Sequence, residues 1–203
     1  MKIYYKDSDI AVCEKEAGLL SEGEGKDCMP SLLAEYFSGK GENADIFCVH
    51  RLDRDTSGIM VYARNKRSAA VLSSAIAAGQ LEKEYEADIH GVPESEMGEM
   101  RDLLYYDRAK NRSYTVKRMR KGVKEAYLEY RVLSHENGIS RVRIKLFTGR
   151  THQIRVQFAS RKMPLCGDRR YGAPESGRSL ALRAVRLAFE HPTTKEYLSF
   201  EDI

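Results

Sequence analysis

Two runs of alternating character, Ala126 to Leu133 and Ile139 to Phe147, meet at His135-Glu136-Asn137-Gly138, and this pattern constrains the fold more than any other feature of the chain. Alternation sends successive side chains to opposite faces of a strand, and an Asn-Gly pair suits the positive φ angles of a tight turn. The runs therefore predict an antiparallel hairpin. Further strands are predicted at Ile3-Tyr4-Tyr5 and Ile10 to Cys13, joined by an Asp7-Ser8-Asp9 turn, and at Ile59 to Ala63, Tyr85 to Ile89, Tyr114 to Arg118, Leu180 to Phe189 and Tyr197 to Phe200. Helical spacing is confined to short stretches. Pro30 to Phe37 begins with proline at a favoured early position, Ser68 to Ala78 offers Ala70, Val71, Ser74, Ala75 and Ala78 as an apolar face before Gly79, and Thr151 to Ser160 has Thr151 as its cap. Residues 92–112, charged and carrying Pro93 and Gly98, read as a loop. Many strands and few helices predict an α+β fold on a largely antiparallel sheet.

A chain of 203 residues with 42% hydrophobic content fits one large domain or two small subdomains and is too apolar for disorder. No apolar run approaches the ~18 residues of a membrane span, and the first residues lack a signal-peptide pattern. A cytosolic protein with no membrane partner is expected, monomeric by default at this size. Cys13, Cys28, Cys48 and Cys166 form no Cys-x-x-Cys pair and read as small buried thiols. His50, His90, His135, His152 and His191 show no ligand spacing with one another or with cysteine, so no metal site is expected.

Charge is unevenly spread. Residues 1–100 carry 11 Lys/Arg against 19 Asp/Glu, whereas residues 101–170 carry 19 against 6. A local excess of 13 positive charges is the footprint of a polyanionic partner, although a solvated basic face has the same composition.

The segment most suited to chemistry is His50-Arg51-Leu52-Asp53-Arg54-Asp55-Thr56-Ser57-Gly58, a charged knot between apolar Phe47-Cys48-Val49 and Ile59-Met60-Val61. Burying charge costs several kcal/mol unless partners compensate, which points to a site rather than a packing element. A second block, Thr148-Gly149-Arg150-Thr151-His152-Gln153-Ile154-Arg155-Val156, is followed by Gly167-Asp168 and Tyr171-Gly172, and Lys83-Glu84-Tyr85-Glu86-Ala87 lies between them. With these blocks the chain, from about Ile3 to Phe200, resembles the RluA family of pseudouridine synthases.

The resemblance implies the pseudouridine synthase fold, a mixed, mainly antiparallel bent sheet with flanking helices and a central RNA cleft, here as one catalytic domain over 1–203 made of two subdomains and without the family's S4-like domain. It implies isomerisation of uridine in ribosomal or transfer RNA, with no cofactor and with flipping of the target base. Asp53 matches the catalytic aspartate, with Arg51 and Arg54 supplying cationic charge beside it. Asp55 reads instead as a turn residue whose side chain caps backbone amides. Tyr85 matches the ring that stacks on the flipped base. Arg155 matches the arginine that reaches the aspartate, a possible bidentate pair that would fix its orientation, and Ile154 lines the uracil pocket. His50, Arg51, Arg54, Arg150, His152 and Gln153 supply donors for phosphate, ribose or base, although His50, His152 and Gln153 suit orientation of the loops equally. Arg118, Lys121, Lys124, Arg161, Lys162, Arg169 and Arg170 would hold flanking phosphates. The sequence departs from the family pattern at Glu16, at Tyr127-Leu128 and at Arg183. A noncatalytic RNA-binding module with the same fold is the competing reading.

Overall fold

The computed structural model describes residues 1–174 and 177–202. In chain order its elements are β1 (Ile3–Lys6), β2 (Ile10–Lys15), α1 (Met29–Ser38), β3 (Phe47–Cys48), β4 (Ser57–Ala63), α2 (Lys66–Ala77), β5 (Glu82–His90) and β6 (Met97–Asp107). There follow β7 (Arg112–Val116), β8 (Val123–Glu136), β9 (Ile139–Leu146), α3 (Gln153–Ser160), a 3-10 turn at Arg169–Tyr171, β10 (Leu182–Glu190) and β11 (Tyr197–Glu201). Backbone contacts divide the chain into two units, Met1–Glu82 with Ala184–Ile203, and Lys83–Arg183. The fold is α+β, as the pattern of alternation predicts. Among the described residues no helix is long and apolar enough to cross a membrane.

The first unit is a sheet in the order β1-β2-β4-β10-β11, with β3 on β4. Ile10, Val12, Ile59, Val61, Leu72, Leu187 and Phe189 form its core. The Asp7 turn is real: Asp7 Oδ1 accepts from the amides of Asp9 and Ile10, both at 2.8 Å. His191 completes the tie. Its Nδ1 accepts from the amides of Thr193 and Thr194, so Nε2 carries the proton and donates to Asp7 Oδ2 at 2.9 Å. α2 starts at an Asn65 cap that accepts from Ser68 N at 2.8 Å. It ends in paired bonds from Gly79 N to Ile76 O and Gln80 N to Ala75 O, with Gly79 at φ +74°.

Its buried face differs from the expected one. Ala69, Leu72 and Ile76 meet the core, whereas Ala70 and Ala78 are exposed and Val71 and Ala75 only half-buried. The larger side chains remove more apolar surface from water, so Leu72 and Ile76 set the orientation and the alanines turn outward.

Gly58, the last residue of the signature segment, sits at φ +128° where β4 passes β10, and a Cβ there would lie 2.2 Å from Ala184 O. No side chain fits against a backbone oxygen at that range. Gly58→Ala should therefore lower the unfolding free energy by about 4 kcal/mol, as overpacking and backbone strain combine, in a urea melt.

The second unit is a sheet in the order β5-β9-β8-β6-β7. The β8–β9 turn has Asn137 at φ 52° and Gly138 at φ 75°, as the Asn-Gly signal predicts. Along β5 and β9 the register sets Glu84 opposite Lys145, Glu86 opposite Arg143 and Asp88 opposite Arg141. Arg143 bonds Glu84 and Glu86 at 2.8 and 3.3 Å, and Arg141 bonds Asp88 at 3.0 Å. This ladder neutralises much of the charge on these strands.

The expected loop over residues 92–112 is overturned: β6 fills 97–107 and turns through 108–111 into β7. Its charges belong to an exposed strand face, with Glu99 and Arg101 outward while Met100 and Leu104 are buried. α3 lies over this sheet through Val156, which packs with Leu104, Ala126 and Tyr171. It begins at Gln153 rather than Thr151, because His152 takes the left-handed conformation (φ 53°) and marks the N-terminus without a side-chain cap.

Candidate active site

Residues 50–56 have little regular structure of their own, so their buried backbone groups need partners from elsewhere. They find them mainly in side chains. Ser21 Oγ donates to Leu52 O at 2.9 Å and accepts from Leu52 N at 3.0 Å, and Ser21 O in turn accepts from the buried Tyr62 hydroxyl. Cys48 Sγ donates to His50 O, and the turn closes with Thr56 N donating to Asp53 O at 3.1 Å. Leu52, 5% exposed, anchors the segment from within.

The strongest clamp is Lys15. Its fully buried ammonium donates to Glu16 O, Arg54 O and Thr56 O at 3.1, 2.9 and 2.8 Å. Gly18 N also donates to Arg54 O, while Arg54 Nε donates back to Gly18 O. Lys15 thus binds the signature segment as a structural cation would. Burial pushes its pKa down to about 8, opposed by the nearby charges of Asp55 and Asp53.

A lysine whose pKa falls from 10.5 to about 8 on folding gives up its proton earlier in the folded state. Its contribution to stability is least favourable below pH 8 and improves as pH rises toward 10.5, by about 3 kcal/mol over that window. Lys15→Met lacks this term. The stability difference, wild type minus variant, should therefore move in favour of the wild type between pH 8 and 10 in paired urea melts.

Several expected donors are used within the first unit itself. His50 Nε2 accepts from Val61 N at 3.1 Å, so this histidine orients the loop against β4. Arg51 pairs with Glu22 at the surface, at 2.5 Å, and Arg54 turns to Gly18, so the cation that holds the segment beside Asp53 is Lys15. Asp55 is exposed and its carboxylate caps no amide among the described residues, contrary to expectation; main-chain atoms close the turn. Asp53 is half-buried at the centre of this frame.

The second unit carries the other predicted residues. Tyr85 is 6% exposed on β5, on the same face as Lys83, Ala87 and Ile89. Burial pushes Lys83 down to about 8. Ile154 and Arg155 lie on α3, 4% and 6% exposed. Arg155 donates from Nε and Nη2 to the two oxygens of Asp168 at 2.7 and 2.8 Å, a bidentate buried pair. Asp168 follows Gly167, whose own Cβ would lie 2.1 Å from Ser179 O at φ +75°.

Around this pair the Tyr171 hydroxyl accepts from Ser113 N at 2.8 Å and shares a hydrogen bond of 2.9 Å with His152 Nδ1. Burial raises the Tyr171 pKa. Gln153 is spent on the backbone: Oε1 accepts from Thr148 Oγ1 and Arg150 N, and Nε2 donates to Tyr127 O. Arg150 donates to Glu125 O from an otherwise accessible side chain. The even choice between ligand donor and loop orienter therefore falls to orientation for Gln153.

All four cysteines are free, three of them buried, and burial pushes Cys13 up to about 12 and Cys48 to about 11. Neither is a nucleophile at neutral pH. Asp53 presents a half-buried carboxylate within the clamped segment.

Sequence comparison decides the family. A profile described as RNA pseudouridylate synthase matches residues 9–160, which include the signature segment, Tyr85 and Arg155. The chain belongs to this family. The synthase is 34% identical over 221 residues to an uncharacterized RNA pseudouridine synthase of Aquifex aeolicus, covering 99% of the chain and 68% of the relative. It is 34% identical over 218 residues to ribosomal large subunit pseudouridine synthase D of Vibrio cholerae, covering 98% of the chain and 66% of the relative. Human RNA pseudouridylate synthase domain containing 4 superposes with a TM-score of 0.83 at 22% identity, over 100% of this chain and 88% of that one, which shows the shared fold. The enzyme is an isomerase of the RNA pseudouridine synthase class.

The sequence alone assigns no role in this synthase to Lys15, Ser21, Asp168 or Tyr171. The Gly167-Asp168 and Tyr171-Gly172 pairs were visible as motif residues, but neither Lys15 in a strand nor Ser21 in a loop carried any signal of its bond to a segment more than 30 positions away.

Proposed function

We propose that the protein converts uridine to pseudouridine at one or a few positions of large-subunit ribosomal RNA in the cytoplasm, acting as a monomer with Asp53 as the catalytic carboxylate on a flipped-out target nucleotide. The observation that carries this reading is the clamped segment at residues 50–56, whose backbone is fixed by Lys15 and Ser21 around a half-buried aspartate. The relatives named for the ribosomal large subunit support the choice of RNA.

The reaction breaks the bond between ribose C1′ and uracil N1, turns the base, joins C1′ to C5, and moves the C5 proton to solvent while N1 gains one. Atoms and electrons balance without a cofactor. A carboxylate serves either by attacking C1′ or by taking a ribose proton to give a glycal, and both routes need Asp53 held rigidly beside the sugar. Tyr85 supplies a ring for the extruded base, and Ile154 an apolar wall that retains free uracil. Arg155, its guanidinium set by Asp168, positions the acid.

Tyr85→Phe should retain base stacking and RNA affinity while reporting on the hydroxyl through kcat, whereas Tyr85→Ala should weaken binding of the target by about 1–3 kcal/mol. Titration of a fluorescent stem-loop beside single-turnover rates separates the two.

The direct test incubates purified protein with bulk RNA from cells lacking it, followed by carbodiimide mapping of pseudouridine. New sites in large-subunit RNA are expected. Sites confined to transfer RNA would reassign the substrate, and RNA retention with no new site would leave only a binding module.

A further inference from the structure

Eight Lys or Arg residues and no Asp or Glu lie between Asp107 and Glu125: Arg108, Lys110, Arg112, Lys117, Arg118, Arg120, Lys121 and Lys124. They occupy the β6–β7 turn, β7 and the segment leading into β8, with Lys124 on β8 itself. None of the eight pairs with a carboxylate among the described residues, in contrast to Arg141, Arg143, Arg155, Arg161 and Arg178 of the same unit. Arg161, expected to hold phosphate, is bound to Asp102 at 2.9 Å. Cations without a carboxylate partner among the described residues are therefore densest along this hairpin, although Arg131, Lys145, Arg150, Lys162, Arg169 and Arg170 share that state.

The 3-10 turn extends the surface. Arg170 donates to Lys110 O and Asn111 O at 3.3 and 2.7 Å, which fastens Arg169 and Arg170 beside the β6–β7 turn. At the inner end Arg112 lies with its guanidinium 5.0 Å from the Tyr171 ring, and its buried Nε has no hydrogen-bond partner. Leaving such a donor unmet is unfavourable, and an anion at the inner edge of the hairpin would relieve it.

Most rings of the hairpin and its neighbours are engaged, and the exposed ring on β7, Tyr114, has the Arg112 guanidinium 5.7 Å from its centre. Arg120 covers Tyr105 at 5.3 Å, the Tyr106 hydroxyl donates to Asn111 Oδ1, and the Tyr171 hydroxyl is bonded to Ser113 and His152. A surface that reads single strands presents open rings for stacking, whereas one that follows a duplex presents cations to its phosphates. Lys117, Arg118, Arg120 and Lys121 are all exposed and fit the second description.

We infer that the β6–β7 hairpin, the 117–122 segment and the Arg169–Arg170 turn form a phosphate-binding face for the RNA helix that flanks the target loop. This rests on the function proposed above and assigns affinity for long substrates to residues of the second unit.

The test replaces Lys117, Arg118, Arg120 and Lys121 with Gln together and compares the product with wild type and with a control variant, Lys66→Gln with Arg67→Gln, on the exposed start of α2. Two substrates carry the same target loop, one on a minimal stem and one on a stem of about two helical turns. Each lost phosphate contact removes roughly 0.7–0.9 from the slope of log affinity against log salt, so the fourfold variant should lose about 3 from that slope on the long stem. It should also raise KM there at least tenfold while leaving kcat on the minimal stem at the wild-type value. The control should match wild type.

An unchanged salt slope in a variant that melts with wild type would overturn the inference while pseudouridine formation still stood. So would an equal loss of kcat on both stems. Polyglutamate is the final probe: competition as effective as that of duplex RNA at matched charge would assign the face to an acidic protein partner instead. Failure of wild type to form pseudouridine on either stem, with intact salt-dependent binding, would instead strike the proposed function alone.

Discussion

Asp53→Asn should melt close to wild type, bind the same RNA, and form no detectable pseudouridine. The frame around residue 53 is built from main-chain atoms and from Lys15, Ser21 and Cys48, and the bond from Thr56 N that closes its turn uses the Asp53 carbonyl. Asparagine has nearly the same shape, so that frame survives. Chemistry does not. An amide neither attacks C1′ nor takes a proton from the sugar, and loss of a nucleophile or base of this kind lowers rates by about 10⁴ or more. Thermal melts, stem-loop titration and carbodiimide mapping of one variant check all three parts of the expectation.

Asp168→Ala should lower stability by about 3–5 kcal/mol, because it removes the carboxylate that meets two nitrogens of the buried Arg155 guanidinium. The partners are 7% and 0% exposed and meet through two short bonds, and Asp168 Oδ1 also accepts from Tyr171 N. The energetic asymmetry gives a clean control. Replacing both charges by apolar groups, Arg155→Met with Asp168→Leu, removes the buried pair as a whole and should recover most of the melting midpoint in urea. Activity should stay lost in the recovered double variant, since the function proposed above requires the Arg155 guanidinium. A double variant that regains both stability and activity would reduce Arg155 to a packing residue.

The backbone pattern was largely legible because alternation and turn chemistry are local. The Asn137-Gly138 turn, the Asp7 turn and the Gly79 stop all follow from neighbouring residues. β6 was missed because its charges lie on a strand with one wet face, and charge alone does not distinguish such a strand from a loop. The face of α2 was misread because alanines count as apolar in a periodic pattern although Leu72 and Ile76 gain more from burial.

The signature segment announced itself by its concentration of charge. What holds it did not, since Lys15 and Ser21 act through bonds made only when β2 and the 18–26 loop pack beside it. Similarly, Arg155 stood out within its motif, but the identity of its bidentate partner is a tertiary fact. The three-dimensional frame also explains the signature glycine: Gly58 is dictated by the carbonyl of Ala184, more than a hundred positions later in the chain.

The central claim is that the Asp53 carboxylate drives exchange of the C1′–N1 bond for a C1′–C5 bond. Release of tritium from RNA labelled at uracil C5 tests it most directly, because forming the new bond expels that hydrogen to water. Wild type should release tritium in step with each pseudouridine mapped, and folded, RNA-binding Asp53→Asn should release none above background. Tritium release by Asp53→Asn at the wild-type rate, or none by the wild type on RNA it binds, would contradict the account.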